Sequence, residues 1–293
     1  MEDVTPLQDT VRLDDAARFA FRDDRSRGAR LAWQARIFGA YFVQFLKMRL
    51  AYRVDFIIDT LAVLFSLVIQ LAVLTVMFSK VRALDGWTYP QVLFIYGFSL
   101  VPLGLFNLIS VNLYGFADEY LIGGRFDRVL LRPVGSLAQV IFESFNVSGL
   151  SEIALGLAIM ASAGVKLGAH FGVIDVLALL FLAPGAALVY LGVFLGITTV
   201  SFWFEDKMGL APPVYNLIRF SRYPITIYSL PVRLFLTFVL PFAWVAFYPA
   251  AWFVGGEKFG KVALLTPLVG ILVFGGAALL WRRGVRNYVS TGS

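Results

Sequence analysis

Six long apolar runs constrain this chain more than any other feature of it. They occupy about residues 54–79, 90–114, 137–165, 173–204, 234–254 and 262–281. A helix needs ~20 predominantly apolar residues to cross a bilayer, and within lipid only a helix or a closed barrel satisfies every backbone polar group. Barrels are built from short alternating segments, so the runs predict an all-α polytopic membrane protein with six spanning helices. Composition leaves little for a soluble domain: 59% of the 293 residues are apolar and 15% charged, against ~45–50% and ~25% in soluble chains. The third and fourth runs exceed what a span requires and predict tilt, kinking or extension beyond the bilayer. Pro184-Gly185 is the expected kink in the fourth.

Between the second and third runs lies a charged island, GFADEYLIGGRFDRVLLRPV, over 115–134. Asp118, Glu119, Arg125, Asp127, Arg128 and Arg132 crowd into it, Gly123-Gly124 interrupts it and Pro133 closes it. Residue 132, preceding a proline, disfavours helical geometry, and Ser136 is the expected cap of the next helix. Lys and Arg concentrate in cytoplasmic segments. With the N-terminus inside, twenty of them fall on the inner side: ten before residue 54, three in the island, four in a 205–233 loop and three after 281. The other five are Lys80, Arg82, Lys166, Lys258 and Lys261. The island is therefore expected to be cytoplasmic, with both termini. The same bias accounts for the net charge of +6 and removes the case for nucleic-acid binding. Trp87, Trp203, Trp252 and Trp281 fall near helix ends, as interfacial tryptophans do, whereas Trp244 is expected inside the bundle.

Residues 1–29 are polar, of mixed charge, without a signal-peptide core, and read as a cytoplasmic tail. From 30 to 53, Trp33, Ile37, Phe38, Tyr41, Phe42, Phe45 and Leu46 recur at helical spacing among Arg36, Lys47 and Arg49. That pattern predicts an interfacial amphipathic helix or a cytoplasmic extension of the first span. Zero Cys and the single His170 leave no basis for a metal centre. Residues 255–261, GGEKFGK, match the start of a phosphate-binding loop, but Val262 stands where the Mg²⁺-binding Ser or Thr belongs. No nucleotide site is expected in this chain.

Ionisable groups within a span are costly and become candidates for function. Asp55 and Asp59 share a face of the first helix, with Arg49 or Arg53 as expected partners, and Glu143 is expected near solvent. Glu152 lies deep in the third run, and Gln70 and Asn107 complete a possible interior polar path. Gly192 and Gly196 form a small-xxx-small pair for helix packing. No nucleophile–base constellation is present on which to rest catalysis.

Residues 125–133, RFDRVLLRP, resemble the loop after the second helix of ABC type-2 export permeases, in the branch where two permeases usually accompany one ATPase. Arg222-Tyr223-Pro224-Ile225 and Phe247-Tyr248-Pro249-Ala250 strengthen the resemblance, which spans about 30–287. It implies an elbow helix over 30–53, six spans, a coupling helix within 115–134 and a re-entrant turn at 249–260, with 288–293 a short tail. It further implies a bacterial inner (plasma) membrane protein whose partners are an ABC ATPase dimer and a second permease, in a homo- or heterodimer. ATP and Mg would then be bound by the partner ATPase and none by this non-enzymatic chain. Asp118, Glu119, Arg125, Asp127, Arg128, Arg132 and Pro133 would face that ATPase. An ion-coupled secondary transporter using Glu152 and Asp59, and a scaffold subunit, remain the alternatives.

Overall fold

The computed structural model describes residues 53–204, 211–255 and 257–289. The helix expected over 30–53 and the side chains of Asp55 and Asp59 lie outside these, save Arg53, where the first helix begins.

Helix α1, Arg53–Lys80, joins α2, Tyr89–Tyr114, through a small antiparallel hairpin of β1 Ala83–Leu84 and β2 Trp87–Thr88. Asp85 and Gly86, at φ 47° and 83°, form the kind of two-residue turn whose twist suits paired strands. Gln91 Oε1 then accepts from both the amide and the hydroxyl of Thr88 at 2.9 Å, closing the exposed start of α2. The middle of α2 is the core of the molecule, with every residue from Val92 to Val101 buried. α1 stands at the margin, and Phe65, Val68 and Val76 are exposed on it. In a spanning chain such a face meets lipid or another subunit.

A π-type turn, Phe116–Ile122, and the short helix α3, Arg125–Leu130, follow. The third apolar run is not one helix: it divides into α4, Ser136–Phe142, and α5, Ser148–Leu167. Asn146 makes the break. Its backbone N–H donates to Leu108 O at 2.9 Å, and its side-chain Oδ1 accepts from the backbone N–H and hydroxyl of Ser148 at 3.1 and 2.6 Å. A side chain that bonds nearby backbone competes with continuation of the helix.

α6, Val173–Val200, runs through Pro184 as one continuous helix, and α11, Thr266–Asn287, packs along it. Small residues let these backbones approach. A Cβ on Gly192 would lie 2.6 Å from Phe274 N and one on Gly185 2.6 Å from Pro267 Cα, whereas at Gly196 the nearest atom is 4.0 Å away. The close-packing pair is thus Gly185/Gly192, not Gly192/Gly196. α2 and α5 cross with the same tightness at Gly104, whose Cβ would meet Gly149 O at 2.4 Å.

The largest departure from the sequence reading lies between α6 and α11. α7, Ala211–Ser221, climbs along α2. Tyr215 meets Asn107 (3.3 Å) and the Tyr114 ring, Ser221 lies 3.2 Å from the Tyr190 hydroxyl, Arg222 reaches Gln70 and Tyr96, and Thr226 accepts from Trp87 Nε1 at 3.1 Å. Residues 215–226 therefore traverse the bundle from the C-terminal half of α2 to its start. The 205–233 stretch is not a simple inner loop. Arg222 lies inside the bundle, and Arg233, which donates to Thr226 O at 3.1 Å, lies at the Trp87 end. The run expected as a fifth span over 234–254 is instead bent by 76° where α8, Leu230–Leu234, and its π-type continuation Phe235–Val239 meet the following segment. That segment holds a 3-10 turn, Phe242–Trp244, and α9, Phe247–Val254. α10, Glu257–Ala263, then packs back on α9, Phe259 against Phe247 with ring centroids 5.4 Å apart. Pro241 sits at the bend, where its missing N–H cannot continue a helix. Among the described residues, five helices are long and apolar enough to cross a membrane, six if the bent pair counts as one.

Candidate functional site

The charged island folds onto the place where the C-terminal ends of α2, α6 and α11 converge. Phe126, fully buried, packs against the rings of Phe116, Phe202, Trp281 and Tyr288. Trp281 is only 2% exposed and Trp87 7%, so these two belong to the core rather than to an interfacial belt. Trp281 Nε1 donates to Ser136 Oγ at 3.2 Å. Ser136 is thus a packing partner, and the capping position of α4 belongs to Gly135. Gln139 Nε2 donates to Val129 O at 3.0 Å and to Val134 O, closing the loop over α4.

The charged residues separate into two groups. Arg125 points inward: its guanidinium donates to Glu119 Oε2 at 2.6 Å and to Glu143 Oε1 at 3.2 Å, and lies 4.7 Å above the Tyr120 ring. Tyr120 donates to the other oxygen of Glu143. Glu143 is therefore the anchor of the island and not a solvated end group. Burial, followed by the Glu143 carboxylate, raises the pKa of the Tyr120 phenol. Burial pulls Arg125 downward, but Tyr120 and Glu143 outweigh it and the guanidinium is held above its usual range. Asp127 is half-buried beside Tyr288.

The second group faces outward. Asp118, Glu119, Arg128, Arg132 and Pro133 are exposed, together with Leu130 at 44% and Leu131 at 84%. The helix ends at Leu130, short of Pro133, and Gly124 at φ 67° separates it from the preceding turn. The result is a small apolar tip with cations beside it, mounted on a buried aromatic root. Arg282, Arg283 and Arg286 are exposed at the same end of the molecule, where the partial negative charge of helix C-termini favours cations.

The intramembrane polar residues also come together, in two linked groups. Asn107 Nδ2 donates to Glu152 Oε2 at 2.8 Å and to the Tyr215 hydroxyl at 3.3 Å. Gln70 Oε1 accepts from Arg222 Nη1 and from the Tyr96 hydroxyl, the latter at 3.2 Å. Arg222 Cζ lies 5.5 Å from the Tyr96 ring centroid. Gln70, Tyr96, Glu152 and Arg222 line one cavity of about 270 Å³ between α1, α2 and α5. The sequence singled out Gln70, Asn107 and Glu152, but assigned Arg222 to a loop. The readable signal was the helical spacing of Tyr215, Ile218 and Arg222, with Ile218 buried, in a stretch too polar on average to register as a span.

A model of the family described as ABC-2 family transporter protein matches residues 64–292. No curated protein and no solved structure matches the chain.

Proposed function

From the premise that this chain belongs to the ABC-2 family of transporter proteins, we propose that it is the membrane subunit of an ATP-driven exporter whose ATPase is a separate polypeptide. The observation that carries this reading is the division of the island into a clamped root and an exposed tip. A transmission element must be stiff where it joins the bundle and free where it meets its partner. Phe126 and the Arg125–Glu143 contact supply the first property; Arg128, Leu130, Leu131, Arg132 and Pro133 supply the second. On this reading α3 and its C-terminal turn are the coupling element. Closure of an ATPase dimer around ATP and Mg²⁺ pushes on Leu131, and the push reaches the third span at Glu143 and the aromatic cluster at Phe202 and Trp281. Asp118 and Glu119 flank the contact, Glu119 also bracing Arg125.

The rest of the reading follows the family. The bent segment of α8, α9 and α10 is the re-entrant element, supported by its packing against Trp87 and Gln91 at the start of α2. The chain works beside a second permease in a bacterial inner membrane, both termini cytoplasmic, with residues 115–134 facing the ATPase. It catalyses no chemistry itself.

The test is co-expression with candidate ABC ATPase subunits from the same genome, followed by affinity purification and ATPase assay in nanodiscs. Wild-type chain is expected to retain the ATPase. Leu131→Asp and Arg128→Glu are expected to lose it at least about tenfold, as removal of a central apolar or charged contact does, while still inserting and purifying as wild type. Retention of the ATPase by both variants would refute the assignment. Transport by the chain alone in liposomes, under an ion gradient and without ATP, would favour ion coupling through Glu152 instead.

A further inference from the structure

The cavity at Arg222 is lined by a guanidinium and a carboxyl group that make no direct contact with each other. Arg222 Nη1 donates only to the neutral Gln70 and Tyr96, and its Nε is buried without a partner. Glu152 accepts from the neutral Asn107. Among the described residues neither group makes an ion pair. Their depth makes this costly. Gln70 lies about 15 Å along α1 from Lys80, near the middle of a hydrocarbon core ~30 Å thick, where an unpaired charge is retained chiefly for function.

The remaining wall is apolar, with Val63, Leu67, Leu100 and Leu155. Ala62 and Ser66, on the same wall, are exposed on the outside of the bundle, so the cavity opens sideways at the depth of the lipid chains. At about 270 Å³ it is below the usual ~300–1,000 Å³ of sites that enclose a whole drug-sized ligand. A headgroup fits, with its chains left outside. A purely anionic headgroup on Arg222 would face Glu152, a purely cationic one on Glu152 would face Arg222, and a neutral one would leave both uncompensated.

We propose that this cavity binds the headgroup of a zwitterionic amphiphile, its anionic group on Arg222 and its cationic group on Glu152. That the bound amphiphile is also the cargo rests on the exporter reading above. The probe set is three lipids with identical acyl chains: phosphatidylethanolamine (zwitterionic), phosphatidylglycerol (anionic) and a quaternary-ammonium lipid (cationic). Each is titrated onto the full chain in nonionic detergent and counted by native mass spectrometry. Wild type is expected to prefer phosphatidylethanolamine by about tenfold, the scale of one charge-assisted contact. Glu152→Gln should shift the preference to phosphatidylglycerol and Arg222→Gln to the cationic lipid, while Arg222→Lys keeps the wild-type order. Equal retention of all three lipids by wild type, or both Gln variants moving together, would overturn the proposal. If Arg222→Gln fails to fold, Glu152→Gln decides alone, and an unchanged preference in it refutes the site. No nucleotide or ATPase enters the measurement, so its failure removes the cargo class and leaves ATPase coupling standing. Loss of ATPase coupling, conversely, leaves the lipid site standing.

Discussion

Arg125 donates to Glu143 across 3.2 Å, tying the exposed helix α3 to the break in the third span. Glu143 lies one residue past the last turn of α4, so any displacement of α3 acts directly on the junction between α4 and α5. The side chains are 35% and 24% exposed, which places the pair between a surface bridge and a buried one. Arg125→Ala is expected to cost roughly 1 kcal/mol, a charge-assisted hydrogen bond discounted for partial exposure. A double-mutant cycle with Glu143→Gln, read by thermal unfolding in detergent, should show a coupling energy of about 0.5–1 kcal/mol. Strict additivity would mean that the two groups do not communicate.

The root and the tip of the island should respond differently to substitution. Phe126 has no exposed surface and is surrounded by aromatic rings, so Phe126→Ala leaves a cavity and is expected to cost about 3–5 kcal/mol. Leu131 is 84% exposed, and Leu131→Asp should change stability by no more than about 0.5 kcal/mol. Unfolding temperatures of the two purified variants check this. A large loss for Leu131→Asp in the isolated chain would mean that the tip is packed rather than presented.

Glycine contacts give a sharper test of the helix packing. At Gly104 a Cβ would lie 2.4 Å from a carbonyl oxygen of α5, whereas at Gly196 nothing lies closer than 4.0 Å. Gly104→Ala must push α2 and α5 apart and should cost about 1–3 kcal/mol. Gly196→Ala meets open space within a helix and should be neutral or stabilising by up to ~1 kcal/mol. Equal costs for the two would refute the close crossing at Gly104.

Hydropathy made most of the fold legible, because a span is identified by its average and α1, α2, α6 and α11 are apolar on average. It failed where a segment crosses the bundle with its polar side turned to protein rather than lipid. α7 and Arg222 form such a segment: the arginine rests on Gln70 and Tyr96, and no average over sequence registers that shelter. The third run misled for the opposite reason. It is apolar on average, and only Asn146 and Ser148, whose local hydrogen bonds begin a new helix, betray the break. Glu152, Asn107 and Gln70 were legible because polar groups in lipid must be accounted for. The inward turn of Arg125 was not, since its partner Glu143 lies eighteen residues away along the chain.

Alkaline titration examines the last contact of the island, that of Tyr288 with Asp127. Burial, and then the Asp127 carboxylate, raise the Tyr288 phenol to about 12, against ~10 for an unperturbed tyrosine. A group whose folded pKa lies above its unfolded value favours the folded state through its protonated form. Its contribution is therefore complete below about pH 10 and is lost as pH rises through about 12. Tyr288→Phe cannot titrate and removes this dependence. Unfolding temperatures of wild type and Tyr288→Phe, measured in detergent from pH 8 to 12, should keep a constant difference up to about pH 10. Above that the wild type should fall more steeply. Parallel curves across the whole range would show that Tyr288 titrates normally and that its phenol is not held against Asp127.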